Sequence, residues 1–401
     1  MNLSLENRKS PKPTYISLFS GCGGFDIGFE ESGFQSLGSF DIDALALKNL
    51  NSYLGSPVYE CDLTGGKLPV SFKNAPDVVL SGSPCQGFST IGKRDINDPR
   101  NSLLLAGARI ALDLGPKIFV AENVPGVISG AHKKFWEELK KMVVLAGYKT
   151  TEIMVSASDF GVPQKRKRML FFAWKGDHDF VELPRLNSVS LQNALSDLDG
   201  VENHEVEEID KNSRELIIAK NIKPGQKLSN VRGGERSIHT WDIPEVFGYV
   251  SDKEKSVLCE MISLRRRLRV RSFGDADPVE RKVVEDLFGC SIIDSLINKN
   301  YLREIGDRVD LVGGFNGKYR RLSFDQPSYT VDTRFGNAKN FLHPSEHRGF
   351  TVRESARIQG FSDNYIFSGP KVEQYRMIGN AVPPPMSHQI AKHIKRNFLE
   401  I

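Results

Sequence analysis

The chain has 401 residues, long enough for more than one domain, and 54 Lys+Arg against 50 Asp+Glu leave a net charge of +4, a mild basic excess that permits a polyanionic partner without demanding one. Five cysteines, Cys22, Cys61, Cys85, Cys259 and Cys290, show neither C-x-x-C spacing nor an even disulfide framework, so a reduced, cytoplasmic protein with no metal site is expected. Residues 1–13 carry no apolar core and no later apolar run reaches about 18 residues, so neither a signal peptide nor a membrane span is expected, and the first 13 residues read as a flexible tail.

A first strand is predicted over residues 15–19. It breaks at Ser20-Gly21-Cys22-Gly23-Gly24 and gives way to an apolar helix over 25–30. The order of strand, glycine turn and helix suggests a dinucleotide fingerprint, but G-x-G-x-x-G needs glycine at 26, where Asp26 stands. An acid at the helix start repels a pyrophosphate and suits an adenosyl ligand carrying a sulfonium and an amino acid group. The second strand, 36–40, ends in Asp41-Ile42-Asp43, about where a carboxylate reaches a ribose diol; the third, 58–61, ends at Asp62. Each acid alone also fits a helix cap, whereas three at successive strand ends suggest a nucleoside pocket.

Asp77-Val78-Val79-Leu80 reads as a buried strand that breaks at Ser81-Gly82-Ser83, so Pro84-Cys85-Gln86 follows a strand end, where open α/β sheets place reacting groups. There Cys85 can be a nucleophile, which requires the thiolate, or simply a small buried hydrophobe. The apolar helix 101–114 and the strand 117–121 complete a βαβ unit whose right-handed crossover can set the two strands side by side, bringing Cys85 and Glu122 to one rim. Taken alone, Glu122 also reads as a solvated strand-end carboxylate. An amphipathic helix over 132–146 carries Phe135, Trp136, Leu139, Met142, Val143 and Ala146 on one stripe. Before a strand at 169–174, Gln164, Arg166 and Arg168 point to one side of an extended backbone and Lys165 and Lys167 to the other; the alternative is a solvated basic run.

Residues 176–330 are more polar and read as an inserted lobe. It holds the basic run Arg265, Arg266, Arg267, Arg269 and Arg271. Helices are predicted at 278–288, with Val279, Val283, Val284 and Leu287 inward, and at 291–298, followed by a hairpin over 301–312 turning at Gly306-Asp307. This suggests a small winged-helix-like module near 278–312, and a packing insert whose arginines face water fits the same pattern. A capping box from Thr351 to Glu354 opens a helix through 358, and Ile378-Gly379-Asn380-Ala381-Val382 precedes a last helix over 386–398.

In order along the chain, Phe19-Ser20-Gly21-Cys22-Gly23-Gly24, Pro84-Cys85-Gln86, Glu122-Asn123-Val124, Gln164-x-Arg166-x-Arg168, Arg353-Glu354-x-Ala356-Arg357 and Gly379-Asn380-Ala381-Val382 together resemble the DNA (cytosine-5) methyltransferase family. The resemblance implies an α/β fold, a Rossmann-like methyltransferase sheet with helices on both faces plus a smaller inserted target-recognition lobe: 14–175 catalytic, 176–330 target recognition, 331–401 returning to the catalytic domain. It implies S-adenosyl-L-methionine as cofactor, with Phe19 and Ile42 flanking adenine, Asp41 on the ribose, Asp62 on the adenine edge, Gly21, Gly23 and Pro84 in the same set, and Asn380 and Val382 closing the pocket. It implies that Cys85 adds to cytosine C6 while Glu122 serves ring N3 and Arg168, with Arg166, orients O2; C5 then takes the methyl group and loses its proton as Cys85 leaves. The base must first flip out of the duplex. Double-stranded DNA is the implied partner, together with a cognate restriction endonuclease in a restriction-modification setting, the chain acting as a monomer away from membranes. A tRNA cytosine-5 methyltransferase would share this chemistry, but that branch carries a Cys-Phe-Thr signature absent here. A catalytically silent DNA-binding homologue would lack Cys85 or Glu122, and both are present.

Overall fold

The computed structural model describes residues 11–84, 98–271, 276–312 and 315–399; Cys85, with Gln86 to Ser89, lies outside the described residues. The chain begins β1 (Thr14–Leu18), α1 (Gly24–Glu31), β2 (Gln35–Asp41), α2 (Ala44–Leu54), β3 (Val58–Glu60), β4 (Val78–Ser81), α3 (Leu103–Leu114), β5 (Ile118–Asn123), α4 (Lys133–Leu145), β6 (Lys149–Ser156), β7 (Lys167–Trp174) and a short α5 (Leu191–Ala194). These strands make one sheet in the order β3-β2-β1-β4-β5-β7-β6. β3, β2, β1, β4 and β5 run parallel, and β7 is antiparallel to both β5 and β6.

Alternation along the strands explains why helices cover both faces. Ile16, Val79, Phe119 and Phe171 enter one core with Leu104 of α3 and Trp136 and Leu139 of α4. Their neighbours Tyr15, Val78, Val120 and Phe172 enter a second core on the other face, with Phe25 and Phe29 of α1. Strands buried on both faces read as continuous apolar runs, and those runs made β1, β4, β5 and β7 legible. The edge strand β6 has no such run: of its residues only Val155 is buried, so nothing in the apolar pattern marks it as a strand.

The chain continues through α6 (Arg214–Asn221), β8 (Lys227–Ser229), β9 (Ser237–Ile238), α7 (Pro244–Phe247), α8 (Asp252–Arg267), β10 (Val279–Glu280), α9 (Arg281–Phe288), α10 (Cys290–Asn298), β11 (Leu302–Ile305), β12 (Arg308–Leu311), β13 (Asn316–Lys318), β14 (Arg320–Arg321) and β15 (Phe341–Leu342), then α11 (Val352–Gln359), α12 (Lys371–Asn380) and α13 (Pro384–Asn397). It divides into two compact units, Met1–His204 with Asp325–Arg334 and Val352–Ile401, and Glu205–Phe324 with Phe335–Thr351. Residues 176–204, read from sequence as insert, fall in the first unit: Leu183 enters the core of Phe172 and Trp174, and the Arg357 guanidinium donates to the carbonyls of Ser196 and Asp197.

Among the described residues, two cores are seen in the second unit. Around one, α8, α9 and α10 pack on a small antiparallel sheet ordered β10-β12-β11; helix, strand, two helices and a hairpin follow one another as in a winged helix. The hairpin turns at Gly306, φ 61°, with Ile305 opposite Arg308. Val279 belongs to a strand rather than to the predicted helix, and Leu287, predicted inward, is 56% exposed. The other core gathers Ile218, Leu228, Ile243, Tyr319 and Leu342, around the sheet β13-β8-β9. Among the described residues, no helix is long and apolar enough to cross a membrane.

Candidate active site

At the C-terminal ends of the parallel strands lies a cavity of about 440 Å³, inside the roughly 300–1,000 Å³ range of small-molecule pockets. Phe19 and Gly21 line it after β1, Asp41 and Ile42 at the end of β2, Asp62 after β3, Pro84 after β4, Glu122 on β5 and Arg168 on β7. Asn380 and Val382, at the end of α12 and just beyond it, line it as well.

The glycine turn and the second strand are tied to each other here. The Gly21 amide donates to Asp41 Oδ2 at 2.8 Å and the Asp43 amide to Oδ1 at 2.9 Å, fixing the carboxylate at the rim. Burial pushes the Asp41 carboxyl above its ordinary range, and these amide bonds oppose the shift. Phe19 holds φ at 55°, a left-handed conformation that costs a bulky residue on the order of 1–2 kcal/mol. Ile42 keeps 68% of its surface exposed although it lines the cavity. Asp62 accepts from the Thr64 amide at 2.9 Å. Gly23 is absent from the lining: at φ 84° its missing Cβ would stand 2.8 Å from Leu50 Cγ, so its part is to let the turn pass against α2.

Asp26 requires a correction. Its position at the helix start suggests a charge facing the ligand, but the carboxylate is fully buried, accepting from Ser17 Oγ at 3.0 Å and Ser39 Oγ at 2.6 Å. It pins α1 to β1 and β2, and burial pushes its pKa up to about 6.

Gln164, Arg166 and Arg168 share one buried side while Lys165 and Lys167 are exposed, yet the three side chains part company. Gln164 Nε2 donates to Ile358 O at 3.1 Å and its Oε1 accepts from the Val331 amide at 3.0 Å. Arg166 donates to Val331 O and Gly379 O, both at 3.0 Å; it braces the residue before Asn380 and is not in the cavity. Arg168 alone reaches it. Its Nη1 donates to Lys167 O at 2.7 Å and its Nε forms an ion pair with Glu122 Oε1. The two charges touch, but the N–H is not aimed along a hydrogen bond, and Oε1 is a buried acceptor with no donor among the described residues. Asn123 Nδ2, one residue on, donates to Ser83 Oγ at 3.2 Å and so holds the strand end ahead of Pro84.

Arg376 and Met377 of α12 also line the cavity, as do Cys22 and Arg100, four residues that the sequence pattern does not single out as part of a site. Arg376 pairs with Asp43 at 2.7 Å, and that Asp43 caps α2 through the Ala46 amide. Short, half-buried α12 gives no apolar stripe to read; the only signal was its place just before Gly379-Asn380.

A profile of the family described as C-5 cytosine-specific DNA methylase matches residues 14–396. The type II methyltransferase M.DdeI of Desulfomicrobium norvegicum is 31% identical, over 96% of this chain and 89% of its own length. M.XorII of Xanthomonas oryzae pv. oryzae, also named a type II methyltransferase, is 30% identical over 96% and 85%. A solved E. coli protein encoded within a prophage superposes with TM-score 0.60 at 22% identity, over 97% of this chain and 100% of that one, a likeness of fold.

Proposed function

Since the chain belongs to the C-5 cytosine-specific DNA methylase family and is a DNA (cytosine-5) methyltransferase, we propose that it methylates C5 of a cytosine flipped out of a specific duplex sequence, through a covalent bond from Cys85 to C6, with S-adenosyl-L-methionine as methyl donor. The observation that carries this reading is the continuity of one cavity, with the Glu122–Arg168 pair on its wall and Asp41, Ile42, Asp62 and Asn380 lining the rest.

The lining fits the cofactor. Ile42, exposed beside a fixed carboxylate, offers an apolar face for adenine. Asp41 has lone pairs left for a ribose diol, Asp62 stands at the next strand end, and Phe19 supplies a second ring face. When bound, S-adenosyl-L-methionine supplies an electrophilic methyl group on a sulfonium. The chain's own work is to make cytosine C5 nucleophilic. The Cys85 thiolate adds to C6, breaking the C5–C6 π bond; the electron pair moves onto the ring as an enamine, which the Glu122 side chain at N3 favours. Arg168 balances charge growing on O2. After C5 takes the methyl group, its proton passes to a solvent base; the freed pair re-forms the C5–C6 π bond as the C6–S bond breaks and Cys85 leaves as the thiolate. Base flipping costs a few kcal/mol, offset by pocket and backbone contacts.

The second unit is the proposed target-recognition region and duplex DNA the partner. The type II relatives support a restriction-modification setting with a cognate endonuclease. The test is trapping. Fluorine at C5 cannot leave as a cation, so a randomised duplex library containing 5-fluorocytosine, incubated with the protein and S-adenosyl-L-methionine, should yield an adduct that survives denaturing electrophoresis. Cys85→Ser should give none and Glu122→Gln should trap slowly. A Cys85→Ser protein that methylates at the wild-type rate would refute the mechanism.

A further inference from the structure

The turn Ser20-Gly21-Cys22-Gly23-Gly24 lines the cavity through Ser20, Gly21, Cys22 and Gly24, so the orientation of its peptide planes decides what a bound cofactor meets there. Gly21 and Gly23 hold φ at 54° and 84°. Glycine passes between positive and negative φ at little cost. The peptide joining Cys22 to Gly23 can therefore rotate about ψ of Cys22 and φ of Gly23, exchanging the places of its C=O and N–H while the chain on either side stays where it is. Both ends of that peptide are held. The Gly23 amide donates to Ser20 O at 3.0 Å, a bond local to the turn. The Cys22 carbonyl accepts from the Tyr365 hydroxyl at 2.8 Å, across 343 residues of sequence. Helix α1 takes up the next carbonyl, Gly23 O, through the Ile27 amide at 2.9 Å, and leaves Cys22 O to Tyr365.

Tyr365 is itself held firmly enough to fix that carbonyl. Its side chain is buried. Its amide donates to Ser362 O at 3.0 Å, and its carbonyl accepts from the Arg353 guanidinium at 3.0 Å. Tyr53 of α2, Phe361 and Phe367 pack around the ring, with centroids 4.9, 5.0 and 4.6 Å away. A ring fixed by three neighbours and by its own backbone delivers its hydroxyl to one position. Burial, with Cys22 beside it, raises the phenol well above its usual 10, so the oxygen keeps its proton and remains a donor. The Cys22 thiol, pushed up to about 12 by burial, likewise stays protonated and donates to Met377 O at 3.5 Å. Cys22 is thus tied to the C-terminal return by its carbonyl and its thiol alike.

Resting on the methyltransferase reading, we infer that Tyr365 is a positioning residue of the cofactor site: its hydroxyl locks the Cys22–Gly23 peptide in the orientation that S-adenosyl-L-methionine binds and so arranges the turn before the cofactor arrives. A site arranged correctly only part of the time binds with its affinity reduced by that fraction. The lock therefore acts on cofactor affinity and leaves the chemical step to Cys85, Glu122 and Arg168. Tyr365→Phe keeps the ring and removes the donor. Calorimetry on the full chain should show S-adenosyl-L-methionine held roughly five- to a hundredfold more weakly, the fold-change of one lost buried hydrogen bond. On a duplex that the wild type methylates, KM for the cofactor should rise in parallel while kcat at saturating cofactor stays near the wild-type value. Amide hydrogen exchange separates a lock from general loosening: without cofactor, exchange in the variant should quicken over residues 20–24 and match the wild type in β4 and β5. The wild type supplies a second measurement if the variant misfolds, since its turn amides should already be protected before any cofactor is added. Unchanged affinity in Tyr365→Phe, a fall in kcat without a change in KM, exchange that quickens equally across the sheet, or an unprotected turn in the cofactor-free wild type would each overturn the inference. A wild type with a protected turn and no affinity for S-adenosyl-L-methionine would overturn the cofactor reading itself, a separate result.

Discussion

Asp41 and Glu122 were legible because each stands at or beside the end of an apolar strand, and in a parallel sheet those ends converge. What a strand end does not reveal is where a long side chain goes. Arg166 and Arg168 share a side by simple alternation, yet one guanidinium turns to two carbonyls of the C-terminal segment and the other to Glu122. Variants should separate them. Arg166→Met leaves two buried carbonyls without donors and should cost roughly 2–5 kcal/mol of stability, read by urea unfolding, with weaker cofactor binding because Asn380 follows Gly379. Arg168→Met should instead depress kcat with cofactor affinity near wild type; a reversed pattern would exchange the two roles. For Asp41, replacement by Ala should weaken S-adenosyl-L-methionine by roughly 1–3 kcal/mol, the loss of a charge-assisted hydrogen bond to the ribose, and unchanged affinity by calorimetry would remove it from the pocket.

Among the elements, the C-terminal return is the part least visible in the sequence, since contacts far apart along the chain create it. α13 and the segment at Val382 that leads into it lie against α1 because two glycines face them. A Cβ on Gly24 would fall 2.1 Å from Val382 O, and one on Gly28 2.3 Å from the His388 amide; Ser387 Oγ donates to Phe25 O across the contact. The i, i+4 spacing of these glycines is plain in the sequence, but nothing in it identifies the partner. Gly28→Ala must push the two helices apart, and overpacking of this kind costs roughly 1–3 kcal/mol or more. Since Val382 lines the cavity, cofactor affinity should fall together with the denaturation midpoint. A Gly28→Ala protein with both values intact would show that this close approach is not needed. Arg376 on α12 makes the complementary prediction: Arg376→Gln, which cuts the tie to Asp43 at a half-exposed site, should raise KM for the cofactor several-fold and leave kcat nearly unchanged.

On the scale of the whole chain, the net charge of +4 concealed where charge sits, above all two buried titratable groups on either side of the α1–α13 contact. Asp26, raised to about 6 from an ordinary 3.8, contributes stability that is complete below 3.8 and is lost as pH rises through 6. His393, on α13 beside Phe180 and Phe398, is lowered by burial to about 4 from 6.5; its contribution is complete above 6.5 and is lost as pH falls through 4. Two such shifts amount to roughly 3 kcal/mol each, over nearly the same window and with opposite sign, so acidification from pH 7 to 4 gains from one about what it forfeits to the other. Removing one partner should expose the other. Measured by denaturant unfolding and taken relative to wild type, Asp26→Asn should grow less stable as pH falls from 7 to 4, because only the His393 penalty remains, and His393→Leu should grow more stable over the same range. The difference between the two variants should widen by several kcal/mol across that window. Parallel curves for both variants would mean that neither group titrates inside the folded chain.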